Sequence, residues 1–135
     1  MKYKVMIVED QTMPRELFEL RIQASEHFEV ALSIDNAALA DVYCLRFPVD
    51  LILMDVVTRN GESGLDAAER IKRAFPQIKI IIVTSMPECS YLSRAREIGV
   101  ESFWYKEEQR ESMLDVMERT MAGNPSIRTQ RRSCN

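Results

Sequence analysis

Residues 51–55 read Leu-Ile-Leu-Met-Asp and residues 80–84 read Ile-Ile-Ile-Val-Thr, two apolar segments that each end in a polar side chain. An uninterrupted apolar strand is typical of a parallel sheet, in which strands are buried on both faces. Short apolar segments recur at 5–8, 30–34 and 103–105, and residues at helical spacing lie between them. Five strands alternating with five helices predict an α/β protein with a doubly wound, five-stranded parallel sheet.

Each helix is predicted from the apolar residues that it would bury. The stripes are Met13, Leu17, Leu20 and Ala24; Leu39, Val42 and Leu45; Leu65, Ala68, Ile71 and Phe75; Leu92, Ala95 and Ile98; and Met113, Met117 and Met121. Prolines or glycines follow the last four stripes, as expected where helices end.

Length and composition predict one soluble globular domain, because the 135 residues are 46% hydrophobic and 29% charged. Residues 1–125 carry 15 basic and 21 acidic side chains, a net charge of −6 that makes nucleic acid an unattractive direct partner. The three cysteines lack metal-ligand spacing, and no apolar run is long enough for a signal peptide or a membrane span. We therefore expect a cytoplasmic chain with reduced thiols and no membrane contact.

Polar residues follow four of the predicted strands. Glu9 and Asp10 come after the first strand, Asp55 ends the third, Thr84 ends the fourth and Lys106 follows the fifth. In a doubly wound sheet the ligand crevice lies beyond the carboxyl ends of the strands. These side chains are therefore predicted to converge at one edge of the sheet.

This set of residues suits phosphoryl chemistry. Three neighbouring carboxylates are all charged at pH 7 and repel one another, and a hard cation such as Mg²⁺ relieves that repulsion. One carboxylate can then act as a nucleophile toward phosphorus. The ammonium and the hydroxyl can hold the remaining phosphoryl oxygens, so every group needed to form an aspartyl phosphate is present.

Residues 3–123 resemble the receiver domain of two-component response regulators, through the acids, hydroxyl and ammonium above and the Gly64-Leu65 pair. The resemblance implies a flavodoxin-like (βα)5 fold with strand order 2-1-3-4-5. It also implies a receiver domain at 1–124 and a C-terminal linker or tail at 125–135. Among response regulators, the chain resembles those with a C-terminal helix-turn-helix output domain. That domain is absent here, so any DNA binding would belong to the missing domain.

The resemblance assigns chemical roles to the acidic residues. Asp55 would accept a phosphoryl group from the phosphohistidine of a sensor histidine kinase. Asp10 and Asp55 would bind Mg²⁺ directly, Glu9 would bind it through water, and the backbone carbonyl of Val57 would be a further ligand. Such a domain is not an enzyme in the usual sense, since it catalyses only its own phosphorylation and dephosphorylation.

The resemblance also implies how the signal would leave the site. Lys106 would pair with the phosphoryl group, Thr84 would move to hydrogen-bond it, and Phe103 would be the switch aromatic that repacks in response. The face of helix 4, strand 5 and helix 5 would then control output, commonly through phosphorylation-dependent homodimerisation. Its exposed residues are predicted to be Tyr91, Arg94, Trp104 and Arg110.

Several residues depart from the family pattern. Glu107 replaces the usual proline after the strand 5 lysine, and the loop at 56–63 lacks a proline and is one residue longer than is common. Val57 and Met86 are apolar at two positions that place the water for dephosphorylation, so we expect slow to moderate loss of the phosphoryl group.

These departures leave an alternative open, a receiver-like protein-interaction module that works without phosphorylation. Two other classes fit poorly. An aspartyl-phosphate hydrolase of the haloacid dehalogenase type needs an acid where this chain has Val57. A flavin carrier needs a phosphate-binding loop where Glu9 and Asp10 would repel the phosphate.

Overall fold

A computed structural model of the chain describes residues 1–56, 63–84, 92–106 and 112–123. The strands are β1 (Tyr3–Val8), β2 (Phe28–Ile34), β3 (Leu51–Asp55), β4 (Lys79–Thr84) and β5 (Ser102–Tyr105). The helices are α1 (Thr12–Gln23), α2 (Ala40–Arg46), α3 (Gly64–Ala74), α4 (Leu92–Ile98) and α5 (Met113–Met121), and a 3₁₀ turn at Ala37–Leu39 precedes α2. The predicted alternation of strands and helices is confirmed.

The five strands form one parallel sheet in the order β2-β1-β3-β4-β5, as the resemblance implied. Its register aligns the carboxyl ends of the central strands. Val8 pairs with Met54, Asp55 with Val83, and Thr84 with Tyr105. The residues that end or follow β1, β3, β4 and β5 therefore lie at the same edge.

The sheet separates two hydrophobic cores. The α2–α3–α4 core includes Ile52 and Met54, and the α1–α5 core includes Leu51 and Leu53. Successive side chains of a strand point to opposite faces, so β3 supplies both cores in alternation. Because helices cover both faces, all five residues of β3 are buried.

The buried faces of α3, α4 and α5 agree with the sequence patterns. Leu65, Ala68 and Ile71 are buried on α3, Ala95 on α4, and Met113 and Met117 on α5. The glycines predicted to end the last two helices have positive φ angles, +97° at Gly99 and +88° at Gly123. This conformation suits glycine at a helix C-terminus.

The predicted buried face of α1 is wrong. Met13 is 81% exposed, and Leu17 and Leu20 are also exposed, whereas Phe18 and Ile22 are buried. The helix carries two apolar stripes, and the one that ends in the larger aromatic and β-branched residues faces the sheet. The other stripe forms an apolar surface on the outside of α1.

The predicted buried face of α2 is wrong for a related reason. Leu45 is 75% exposed, and Leu39 and Val42 are also exposed, while Ala40 and Cys44 are buried. The buried face of α2 therefore consists of smaller side chains, and the larger leucines face outward.

Candidate functional site

Three carboxylates meet at the carboxyl edge of the sheet. Glu9 and Asp10 follow β1, and Asp55 is the last residue of the neighbouring strand β3. One carboxylate oxygen from each residue lies within 4.8 Å of the other two. Glu9 is 1% exposed and Asp55 is 9% exposed, so the charges are largely removed from water. The structure thus brings together the three acids that the sequence singled out.

Lys106 brings a positive charge to these acids. Its backbone N–H donates to the carbonyl of Thr84 at 2.9 Å, which holds the residue after β5 against the end of β4. The Lys106 Nζ lies 3.0 Å from Oε1 of Glu9 and 3.9 Å from Oδ2 of Asp55. One ammonium therefore interacts with carboxylates from two different strands.

The Glu9 carboxylate leaves one oxygen without a hydrogen-bond donor. Its Oε2 accepts from the backbone N–H of Gln11 at 3.3 Å. Its Oε1 is buried and accepts no hydrogen bond from the residues that the structure describes, so the nearby Lys106 ammonium forms an ion pair without hydrogen-bond alignment. This buried oxygen therefore keeps acceptor capacity for a further donor, such as a water bound to a cation.

The main chain that carries Glu9 and Asp10 is held from two sides. The N–H of Glu9 donates to the Ile34 carbonyl at the end of β2, at 3.0 Å. The guanidinium of Arg15, in α1, donates through Nη1 to the Glu9 carbonyl at 2.9 Å. Sequence reasoning missed Arg15, and only its closeness to the acids along the chain could have suggested it.

The main chain at Asp55 is held by the start of α3. The Gly64 N–H donates to the Val56 carbonyl at 2.6 Å. A Cβ atom at position 64 would lie 1.9 Å from the carbonyl oxygen of Asp55, which no side chain permits. Glycine is therefore required at this position so that α3 can begin against the end of β3.

The donor set fits a hard divalent cation. All three acids offer oxygen, and Mg²⁺ prefers oxygen ligands, of which it takes one or two as carboxylates and keeps several as waters. One Lys106 ammonium does not balance the charge of three neighbouring carboxylates, and a divalent cation would add positive charge among them. The acidic pocket therefore suits Mg²⁺, with Glu9, Asp10 and Asp55 as its protein side chains.

The same arrangement of residues is found in a known protein family. Residues 5–118 match the family model described as the response regulator receiver domain. The chain belongs to the receiver domain family. A similar curated relative of this receiver domain is the response regulator protein VraR of Staphylococcus epidermidis, 30% identical over 123 residues, which are 91% of this chain and 58% of the relative.

Two solved structures share the fold of this receiver domain. A LuxR-family two-component response regulator from Aurantimonas superposes with a TM-score of 0.86 at 20% identity, covering 94% of this chain and 90% of that one. RcsB, in a structure of two dimers bound to two parallel DNAs, gives 0.83 at 16% identity, covering 93% and 63%. This chain spans about half the length of the curated relatives that it matches.

The two residues that the resemblance names as switches lie on adjacent strands of the receiver domain. Thr84 ends β4 and is 2% exposed. Phe103, on β5, is buried in the α2–α3–α4 core, and its ring stacks on Tyr105 with centroids 6.1 Å apart. A movement of the Thr84 main chain would reach β5 directly, because Thr84 pairs with Tyr105.

The predicted output face is only partly present in the described ranges. Trp104 was expected to be exposed and is buried, in a T-shaped contact with Phe18 in the α1–α5 core, because α1 and α5 cover that face of β5. Arg94 is partly exposed on α4 and forms ion pairs with Asp66 and Glu69 of α3. The predictions made for Val57, Met86, Tyr91, Glu107 and Arg110 fall outside the described residues.

None of the helices in the described ranges has both the length and the apolar character that a bilayer crossing requires.

Proposed function

We propose that this receiver domain accepts a phosphoryl group on Asp55 from the phosphohistidine of a sensor histidine kinase, in a Mg²⁺-dependent reaction. The observation that carries the proposal is the position of Asp55. It ends the central strand β3, shares a pocket with two other carboxylates, and has the Lys106 ammonium 3.9 Å from its Oδ2. This arrangement offers a nucleophile together with groups that balance the charge of a transferring phosphoryl group.

In the proposed reaction a carboxylate oxygen of Asp55 attacks phosphorus and forms an acyl phosphate. The bond between phosphorus and the donor imidazole nitrogen breaks, and its electron pair leaves with the imidazole. Lys106 would neutralise negative charge on the phosphoryl oxygens, and the Thr84 hydroxyl would donate a hydrogen bond to one of them.

By the resemblance, Asp10, Asp55 and the backbone carbonyl of Val57 would hold Mg²⁺ directly, and Glu9 would hold it through water. When bound, the ion supplies positive charge that offsets the charge of the transferring oxygens. The ordered main chain around Glu9 and Asp55 supports this role, because a small ion needs its ligands held at fixed positions.

The phosphoryl group would change the packing of β4 and β5. It adds negative charge and strong hydrogen-bond acceptors beside Thr84. Movement of Thr84 toward those oxygens would favour a second packing of Phe103, and the face of α4, β5 and α5 would report the difference. This mechanism is a population shift between two packings of one fold.

The partners that we propose are a sensor histidine kinase, a second copy of the chain in a phosphorylation-dependent homodimer, and DNA through an output domain that would control transcription. Support comes from the LuxR-family neighbour and from the RcsB dimers solved on DNA. The cytoplasm is the proposed compartment, because reduced thiols such as that of Cys44 persist there.

The test is the intact mass of the protein after incubation with acetyl phosphate and Mg²⁺. Wild type should gain one phosphoryl group, and Asp55→Asn should gain none. Asp115→Asn, which removes an exposed carboxylate from α5, should behave like wild type. Chelation of Mg²⁺ should abolish the gain.

Absence of any gain in folded wild type would favour the phosphorylation-independent interaction module. Equal modification of Asp55→Asn and wild type would place the phosphoryl group elsewhere. The decay of the phosphorylated protein, followed by the same mass measurement, tests the predicted slow to moderate dephosphorylation. A lifetime of only seconds would contradict that prediction.

A further inference from the structure

Arg15 links helix α1 to the acidic pocket, and the proposed reaction gives this residue no role. Its backbone N–H donates to the Gln11 carbonyl in the first turn of α1, at 3.2 Å. Its guanidinium turns back and donates through Nη1 to the carbonyl of Glu9 at 2.9 Å. The side chain thus connects a rigid helix to the main chain between the two acids.

The contacted carbonyl controls where the next carboxylate points. The carbonyl of Glu9 and the N–H of Asp10 belong to one planar peptide unit, so fixing the oxygen fixes the rotation of the whole unit. Together with the φ angle of Asp10, that rotation sets the direction in which the Asp10 side chain leaves the main chain. Asp10 lies between β1 and α1, outside both elements, so neither ladder of hydrogen bonds orients it.

A second anchor acts on the other side of Glu9. Its N–H is held by the Ile34 carbonyl of β2, and Arg15 holds its carbonyl. The two anchors define both peptide units that flank Glu9. Loss of Arg15 would remove this anchor from the unit that leads into Asp10 while the strand itself stays paired.

We propose that Arg15 is a positioning residue that orients Asp10 and Glu9 for binding Mg²⁺. This inference rests on the proposed function, since it requires the acids to bind that ion. Arg15 and Mg²⁺ carry charges of the same sign, so through space alone the guanidinium weakens binding of the ion. A beneficial effect of Arg15 can therefore come only from its hydrogen bond, and the two effects predict opposite results.

The experiment is a calorimetric Mg²⁺ titration of the full 135-residue chain without phosphodonor. Arg15→Met should weaken Mg²⁺ binding about tenfold, the lower end of the losses seen when residues that orient metal ligands are removed. Arg15→Lys should recover part of the affinity, because an ammonium can donate to the same carbonyl. Arg21→Met removes the same charge from the last turn of α1 and should leave binding unchanged or slightly tighter.

Phosphorylation by acetyl phosphate gives a second readout. For Arg15→Met, the Mg²⁺ concentration that gives half the maximal rate should rise about tenfold, in step with the loss of affinity. The rate at saturating Mg²⁺ should stay near that of wild type. A general loss of structure would lower the saturated rate instead, and circular dichroism without Mg²⁺ would detect it.

Binding by Arg15→Met that is unchanged or tighter than wild type overturns the inference while leaving the proposed function intact. Reduced binding together with reduced helical content also overturns it, since the effect would then come from the fold. If wild type itself neither binds Mg²⁺ nor becomes phosphorylated, the proposed function fails and the inference fails with it.

Discussion

Replacement of Gly64 by alanine would place a methyl group against the main chain of Asp55. The added Cβ would lie 1.9 Å from the Asp55 carbonyl oxygen, 2.9 Å from its carbonyl carbon and 3.0 Å from Cγ of Met54. Ordinary contacts begin near 3.4 Å, so α3 and the end of β3 would have to separate by roughly 1.5 Å. Two of the three atoms belong to backbone, which cannot move aside as a flexible side chain would.

The expected loss of stability follows from this geometry. Forced overpacking of a core costs about 1–3 kcal/mol, and a clash with buried backbone belongs at the upper end. Alanine returns up to about 1 kcal/mol through its better helix propensity. The free energy of unfolding should therefore fall by about 2 kcal/mol, which lowers the urea midpoint by about 1 M for a typical small domain.

Urea denaturation of Gly64→Ala measures this loss directly. The matched control is Gly123→Ala, which places a methyl group where, its chain neighbours apart, no atom of the described residues lies within 4 Å. At Gly123 only the left-handed conformation penalises alanine, by about 1 kcal/mol. Gly64→Ala should also slow phosphorylation by acetyl phosphate about tenfold because Asp55 is displaced, and the control should not. A wild-type urea midpoint for Gly64→Ala would refute the argument from close approach.

Three further predictions concern residues away from the acids. Lys72→Met should lower the free energy of unfolding by about 3 kcal/mol, because the largely buried ammonium binds Glu101 at 2.8 Å. Urea denaturation measures this loss, and a loss below about 1 kcal/mol would contradict the prediction. Glu118 raises the pKa of His27 above 6.5 in the folded protein. The contact between the two side chains therefore stabilises the fold fully at pH values below the pKa that His27 has in the unfolded chain. This stabilisation is lost as the pH rises through the pKa that His27 has in the folded protein. An NMR titration that gives His27 the same pKa in wild type and in Glu118→Gln would disprove the coupling. Burial raises the pKa of Cys44 to about 11, so peptide mapping should find Cys44 almost unalkylated in native protein at pH 7, and rapid labelling would be inconsistent with the buried thiol.

The sequence was sufficient to predict the strands and the edge at which the acids meet. Buried parallel strands leave a strong signal, since runs such as that at 51–54 are apolar without interruption. Residues at the carboxyl ends of such strands share one edge whatever the details of packing. The convergence of Asp55 and Lys106 therefore followed from topology alone, without knowledge of any contact.

The faces of α1 and α2 were not predictable by the same means. Helical spacing is satisfied equally by the exposed Met13 and Leu17 and by the buried Phe18 and Ile22. Tertiary packing decides between such stripes, and helical spacing alone does not show which one is chosen. In α2 the buried residues are Ala40 and Cys44, which a search for large apolar residues does not select.

The contact made by Arg15 was unpredictable for a different reason. Every residue has a main-chain carbonyl, so the residue types at positions 9 and 10 do not indicate that Arg15 binds there. The contact depends on how α1 leaves β1, which the sequence does not specify. Such a link becomes visible only in the folded structure.

Two neighbouring aromatic residues of β5 pack into different hydrophobic cores. Phe103 belongs to the α2–α3–α4 core and Trp104 to the α1–α5 core. A twist of β5 that relieves crowding around one ring must disturb the packing of the other, because the two side chains point in opposite directions from one rigid backbone. We therefore expect β5 to couple the two cores, so that a substitution in the α1–α5 core that displaces Trp104 also disturbs the packing of Phe103 on the other face of the sheet.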